Sequence, residues 1–348
     1  MRAVALTGPE RVEIVEVPEP DVLPGTVLVE IDRCGIGGTD LQAYRTGELP
    51  APAWFGHEWS GRIVEIGADP DDRIADRFVG ERVVGAVPPP CGRCRFCRAG
   101  LGDHCEEALA LIVGTHPTAS DTGGFAERVR VDARRVHRIP DGVDDSNAAL
   151  AEPAAVAAHA VALAGQRLGD VVVVVGAGTV GLLVAELARL AGAARVLAVD
   201  VEPVRRELAC SLGADAAFGP GPEMGRWLSA NGHGLGADVV YECAGPPLAV
   251  EQSLLAARHG GTVVLVGTAV PPAVIDPADL VARHLTLRAS RGYTVGDVHR
   301  ALDLMADDRF RVAAIHDRLV GFDQLGGALA ELSSDLSARR KVLFSPKD

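Results

Sequence analysis

Gly176, Gly178 and Gly181 stand in G-x-G-x-x-G spacing directly after the five valines of Val171–Val175. Such a turn takes the pyrophosphate of a dinucleotide. The first glycine permits the tight turn, the second lets the backbone approach the phosphates, and the third lets the following helix pack on the strand. The helix N-terminus adds free N–H groups and a partial positive charge. Thr179 and Val180 complete the GAGTVG turn and belong to the same cofactor cradle. Asp200, at the end of the next strand, can accept two hydrogen bonds from a ribose diol and would repel a 2′-phosphate. That favours NAD over NADP. Arg205 follows closely and either flanks the adenosine or forms a surface ion pair.

A second group with its own chemistry is Cys91-x2-Cys94-x2-Cys97-x7-Cys105. Four thiolates at these spacings close a tetrahedral shell around one Zn²⁺ and leave no position for substrate. Such a site holds a loop together. An iron–sulfur site also uses four cysteines, but the short spacing inside a polar Arg- and Gly-rich loop favours a small zinc lobe over residues 91–105.

The elements that must position these groups follow from hydrophobic periodicity. Residues 1–33 read as short antiparallel strands, and further strands are expected at 61–67, 81–87 and within 123–139. Residues 146–164 read as helix interrupted at the Glu152-Pro153 step. Strands at 171–175, 195–199, 215–218, 238–242, 262–266 and 284–289 then alternate with helices, the pattern of a doubly wound parallel sheet. Helices at 295–306 and near 322–332 precede a last strand, KVLF.

With 348 residues the chain suggests about two domains. Its net charge of −13 argues against nucleic acid and anionic membrane as partners. No apolar run is long enough to span a bilayer and no signal peptide is evident, so a cytoplasmic protein is expected. The only lysines are Lys341 and Lys347, which argues against Schiff-base chemistry and a P-loop.

Taken together, the chain resembles the zinc-type alcohol and polyol dehydrogenases of the medium-chain dehydrogenase/reductase superfamily. The resemblance rests on Gly37-Gly38-Thr39-Asp40, Gly56-His57-Glu58, the four-cysteine lobe, Glu152-Pro153, the GAGTVG turn and the terminal KVLFSP. It implies an α/β plus β fold: a GroES-like β domain at 1–152, an inserted Rossmann NAD-binding domain at 153–290, and a return to the first domain at 291–348. It also implies a small alcohol or ketone as partner, and a homodimer or homotetramer paired through the strand near 284–289. Carried over by motif, His57 matches a catalytic zinc ligand, and Glu58 beside it can also reach the metal. Glu152 matches the acid ligand before proline. Thr39 matches the hydroxyl that relays the alcohol proton, and Asp40 the carboxylate that orients the ligand histidine. Without the resemblance, His57 would read as a histidine hydrogen-bonded to Asp40 inside the β domain.

One position departs from the family. Its pattern is Gly-Ile-Cys-Gly-Thr-Asp, whereas this chain has Gly35-Ile36-Gly37-Gly38-Thr39-Asp40, so glycine stands where the ligand cysteine belongs. Three arrangements follow. Cys34 reaches the metal through a remodelled loop, or His57, Glu58 and Glu152 hold zinc with water, or the pocket holds no metal. The expected function is an NAD-dependent oxidoreductase interconverting a secondary alcohol and its ketone. The alternative is a protein of this fold that keeps NAD but has lost that catalysis, either redox-neutral or regulatory.

Overall fold

The computed structural model describes residues 1–49, 51–69, 76–112, 116–268, 271–307, 309–334 and 340–348. Val171–Val175 lies at the centre of a six-stranded sheet. In spatial order the strands are Ala216–Phe218, Arg195–Val199, Val171–Val175, Ala237–Glu242, Ala257–Leu265 and Thr286–Ala289, and every neighbouring pair is parallel. All five valines are buried. Val172 and Val174 pack into one hydrophobic cluster, with the helices Ala151–Ala164, Thr179–Leu190 and Val295–Ala306. Val171, Val173 and Val175 pack into another, with Leu228, Val250 and Leu254. A strand covered on both faces has no polar side, which is why its sequence shows no alternation. The strand order reverses between Val171–Val175 and Ala237–Glu242, and such a switch point opens a crevice at the carboxyl ends of the strands.

The β domain holds a second, mixed sheet. Its order is His316–Val320, Lys341–Phe344, Thr26–Gly35, Glu58–Ile66, Arg82–Gly85 and Val136–Arg138, with Arg128–Asp132 also paired to Thr26–Gly35. The C-terminal strand runs antiparallel to Thr26–Gly35, with Leu343 opposite Gly35 and Phe344 opposite Cys34. This pairing brings the end of the chain against the Gly35–Asp40 loop. A three-stranded sheet of Arg11–Glu16, Arg2–Gly8 and Ala53–Trp54 completes the domain.

Two details depart from the sequence expectation. The break in the 146–164 helix falls before Glu152: one helix spans Asp145–Ala148 and the next Ala151–Ala164. Pro153 therefore sits in a first helical turn, where its missing N–H has no intrahelical acceptor to lose. The strand His316–Val320 was not expected. It alternates exposed and half-buried residues until Val320, so it carries little apolar signal.

Candidate active site

At the cofactor turn, Gly176 has φ +96 and its N–H donates to Val199 O at 2.7 Å. Gly178 is the N-cap of helix Thr179–Leu190 and makes no side-chain cap, so the first N–H groups are free for an anion. Thr179 and Val180 are half-buried on that first turn. A Cβ on Gly181 would meet Gly176 O and stand 3.4 Å from Cys243 Cβ, so helix and strand touch there, backbone to side chain. A Cβ on Gly178 would meet nothing within 4 Å. Asp200 is buried. Its Oδ2 accepts from Ala177 N at 2.7 Å and its Oδ1 from Glu202 N at 2.8 Å. Arg205 lies 3.5 Å from Asp200 Oδ2 with a largely buried side chain, so the ion pair it forms there is not a fully exposed one.

In the lobe, one sulfur from each of Cys91, Cys94, Cys97 and Cys105 lies within 4.8 Å of the others. Cys91 and Cys97 are 4.0 Å apart. Zn–S bonds of about 2.3 Å would set tetrahedral sulfurs about 3.8 Å apart. Backbone N–H groups point at three of the sulfurs: Cys94 N at Cys91, Cys97 N at Cys94, and Cys91 N and Ala108 N at Cys105. These donors favour thiolates, and the N–H of Cys97 is the main reason the Cys94 thiol is pulled down.

The third group gathers His57, Glu58 and Glu152, whose ligand atoms all lie within 4.8 Å of one another. Asp40 sits behind them in the first turn of helix Gly38–Thr46. Its Oδ2 accepts from Gly37 N at 2.8 Å, its Oδ1 from Gly56 N at 3.0 Å, and Oδ1 lies 3.4 Å from His57 Nδ1. A carboxylate on Nδ1 fixes the ring and leaves Nε2 as the ligand atom. Burial would push the His57 ring towards its neutral form, but Asp40, then Glu152 and Glu58, outweigh it and hold the imidazolium up to about 10. Burial, with Glu58 beside it, pushes the Glu152 carboxyl up to about 7 against the pull of His57. Thr39 is exposed at the cleft end of the same helix.

Two residues complete the pocket that the sequence motifs did not supply. Lys341, on the returning C-terminal strand, is buried and ion-paired with Glu58 Oε2. The Tyr293 hydroxyl lies close to the Glu152 carboxyl and to the backbone of Val87. The signal for Lys341 was its place at the head of KVLF; Tyr293 had none. Cys34 stands next to this group, close enough for Asp40, Glu58 and Lys341 to act on its thiol, which burial above all pushes well above its usual range. It is buried in the β-domain core, its Sγ 2.8 Å from where a Cβ on Gly124 would stand, and it is not among the grouped ligand atoms.

Comparison with known proteins gives the family. Residues 23–141 match the alcohol dehydrogenase GroES-like domain, and residues 179–307 match the zinc-binding dehydrogenase domain. L-threonine 3-dehydrogenase of Streptomyces avermitilis is 32% identical over 334 residues, covering 92% of both chains. The chain belongs to the zinc-type medium-chain dehydrogenase superfamily. Among solved structures it is similar to 2R,3R-butanediol dehydrogenase of Bacillus subtilis, with a TM-score of 0.84, 29% identity and 99% of each chain covered. A Sinorhizobium meliloti protein described as a zinc-binding dehydrogenase, solved with NADP, gives a TM-score of 0.85 at 33% identity and 99% coverage of each chain. The GroES-like domain and the Rossmann sheet are those of this superfamily. The protein is therefore an alcohol dehydrogenase-like oxidoreductase that uses a nicotinamide cofactor and carries a structural zinc in its cysteine lobe. Among the described residues no helix is long and apolar enough to cross a membrane.

Proposed function

We propose that the protein oxidises a secondary alcohol (a polyol, a sugar or an amino alcohol) to its ketone with NAD⁺, in the cleft between 153–290 and the domain formed by 1–152 and 291–348. The observation that carries this is the convergence of His57, Glu58 and Glu152 beside an exposed Thr39. The donor set of one imidazole and two carboxylates fits a divalent cation. When bound there, the cation supplies Lewis-acid lowering of the alcohol pKa. Asp40 keeps the His57 ring in its ligating orientation, and Tyr293 holds Glu152. The Thr39 hydroxyl would accept the alcohol proton and pass it on towards solvent. A nicotinamide cofactor held at the glycine turn would supply the hydride acceptor, so that alcohol and NAD⁺ would give ketone, NADH and one proton.

Asp200 supports NAD over NADP, because a 2′-phosphate would meet its carboxylate at the end of the strand. The edge strand Thr286–Ala289 supports a homodimer or homotetramer built by strand pairing. Gly37 favours one other reading, a nucleotide-binding protein of this fold without alcohol turnover. A panel of threonine, 2,3-butanediol and polyols, followed as NADH formation, decides between them. Parallel fluorescence titrations with NADH and NADPH test Asp200, and equal or reversed affinities would sink that assignment.

A further inference from the structure

Glu242 ends the strand Ala237–Glu242 at the switch point of the Rossmann sheet, in register with Val175, the residue before the glycine turn. It is a fully buried carboxyl group outside the catalytic cluster. Its Oε1 accepts from Ala244 N at 2.8 Å and from Gly245 N at 2.7 Å. Its backbone carbonyl accepts from Val266 N at 2.8 Å and Gly267 N at 2.9 Å, at the end of the next strand. Oε2 has no hydrogen-bond partner among the described residues and lies 2.8 Å from where a Cβ on Gly267 would stand. One residue thus ties two strand ends together. The turn it holds is wedged in place. A Cβ on Gly176 would stand 2.7 Å from Ala244 N, and one on Gly245, whose φ is +94, would stand 2.8 Å from Thr268 O. Ala244 and Thr268 themselves are exposed.

The glycine turn and Asp200 account for the pyrophosphate and the adenosine of a dinucleotide, on the side of Arg195–Val199. A dinucleotide spans the switch point. Its nicotinamide half therefore falls on the other side, over the ends of Ala237–Glu242 and Ala257–Leu265. We propose that Glu242 is a positioning residue for that half: it touches no reactant, but fixes the 243–245 turn and the 266–268 segment against which the nicotinamide and its ribose lie. The proposal rests on the reading above that the crevice takes NAD. Without the side chain, the N–H groups of Ala244 and Gly245 lose their acceptor where water replaces it poorly, and the turn has no reason to keep its seat between Gly176 and Thr268. The two bonds need an oxygen and not a charge. Burial raises the Glu242 carboxyl against the pull of the two N–H groups, and an amide oxygen could accept the same pair.

ADP-ribose, which lacks the nicotinamide, separates this role from a merely structural one. In calorimetric titration the unmodified protein should bind NADH more tightly than ADP-ribose. Glu242→Ala should lose most of that advantage: NADH affinity falls roughly 10–100-fold while ADP-ribose affinity stays within about threefold. Glu242→Gln keeps the accepting oxygen and should keep the advantage. Gly267→Ala, whose Cβ would stand 2.5 Å from Gly245 N, disturbs the same turn from the neighbouring strand end and should lose it. This second variant carries the test if Glu242→Ala does not fold, which a thermal melt reports. No advantage of NADH in the unmodified protein, a retained advantage or equal losses of both ligands in folded Glu242→Ala, or a lost advantage in Glu242→Gln would each overturn the proposal. A protein that binds neither ligand would overturn the cofactor reading with it. Failure to oxidise any alcohol while the binding pattern holds would overturn the functional reading and leave this one standing.

Discussion

Replacing Gly178 and Gly181 by alanine, one at a time, separates two tasks that the glycine turn performs together. At Gly181 an added Cβ would fall far inside contact with the carbonyl oxygen of Gly176. The obstacle is backbone, so no rotamer relieves it, and helix Thr179–Leu190 must lift from the strand. Overpacking of this kind costs about 1–3 kcal/mol or more, set against a helix-propensity gain of about 1 kcal/mol for alanine over glycine. A net loss near 2 kcal/mol would lower the melting temperature of a chain of 348 residues by roughly 3 °C. At Gly178 the added Cβ meets nothing within 4 Å and φ is −71. Alanine there should leave the cofactor-free stability within about 0.5 kcal/mol, since a small loss as N-cap offsets the reduced freedom of the unfolded chain. The same methyl would enter the space of the pyrophosphate, and a clash of about 1–3 kcal/mol weakens NADH binding about 5–150-fold. Thermal melts without cofactor and fluorescence titration with NADH read the two effects separately. Unchanged NADH affinity in Gly178→Ala would refute the placement of the phosphates over this turn. An unchanged melting temperature in Gly181→Ala would refute the packing argument.

Cys97→Ser should release the lobe zinc and lower thermal stability; unchanged zinc content and melting temperature would show that the lobe is not a zinc site. A pH-dependent contribution is expected where His159 Nδ1 meets Asp297 Oδ2 at 3.0 Å. Burial would raise the Asp297 carboxyl, but His159 and the hydrogen bonds from Thr294 prevail and hold it down to about 2, while the hydrogen bond to Asp297 raises His159. The carboxylate part of this stability is present above about pH 4 and lost as pH falls towards 2. The imidazolium part is present below about pH 6.5 and lost as pH rises through the raised value. His159→Ala should therefore cost most, roughly 1–2 kcal/mol, between about pH 4 and 6.5, and less at pH 9. Equal losses at pH 5.5 and pH 9 in thermal melts would count against the pair.

Groups defined by local chain were legible in the sequence, and groups defined by strand pairing were not. The glycine turn and the four cysteines each lie within a few residues of their own partners, so spacing alone marked them, whereas Asp40 was marked only by the family motif. The strand–helix–strand pattern marked Asp200 at the end of its strand, but not the hydrogen bond that its Oδ2 accepts from Ala177 N in the glycine turn. Lys341 reaches Glu58 only because the C-terminal strand pairs with Thr26–Gly35, and that register has no sequence signature. Tyr293 reaches Glu152 through the packing of helix Val295–Ala306 on helix Ala151–Ala164, again a tertiary fact. His316–Val320 escaped for the opposite reason: its pairing with Lys341–Phe344 is regular, but its own side chains are too exposed to mark it.

The charges in the pocket give an independent account of why glycine is tolerated at residue 37. Asp40, Glu58 and Glu152 bring three negative charges and Lys341 one positive. A divalent cation beside a neutral His57 balances the remaining two. On their own, the same groups approach balance by holding protons, with His57 protonated up to about 10 and the Glu152 carboxyl raised to about 7. Both responses show the same demand for positive charge in a site where water screens poorly. A thiolate at residue 37 would add a fourth negative charge to this balance, and glycine adds none. Breaking a buried pair leaves an uncompensated charge at a cost of about 3–5 kcal/mol. Glu58 and Lys341 are such a pair, and Lys341→Met should lower thermal stability accordingly; an unchanged melting temperature would count against the pair.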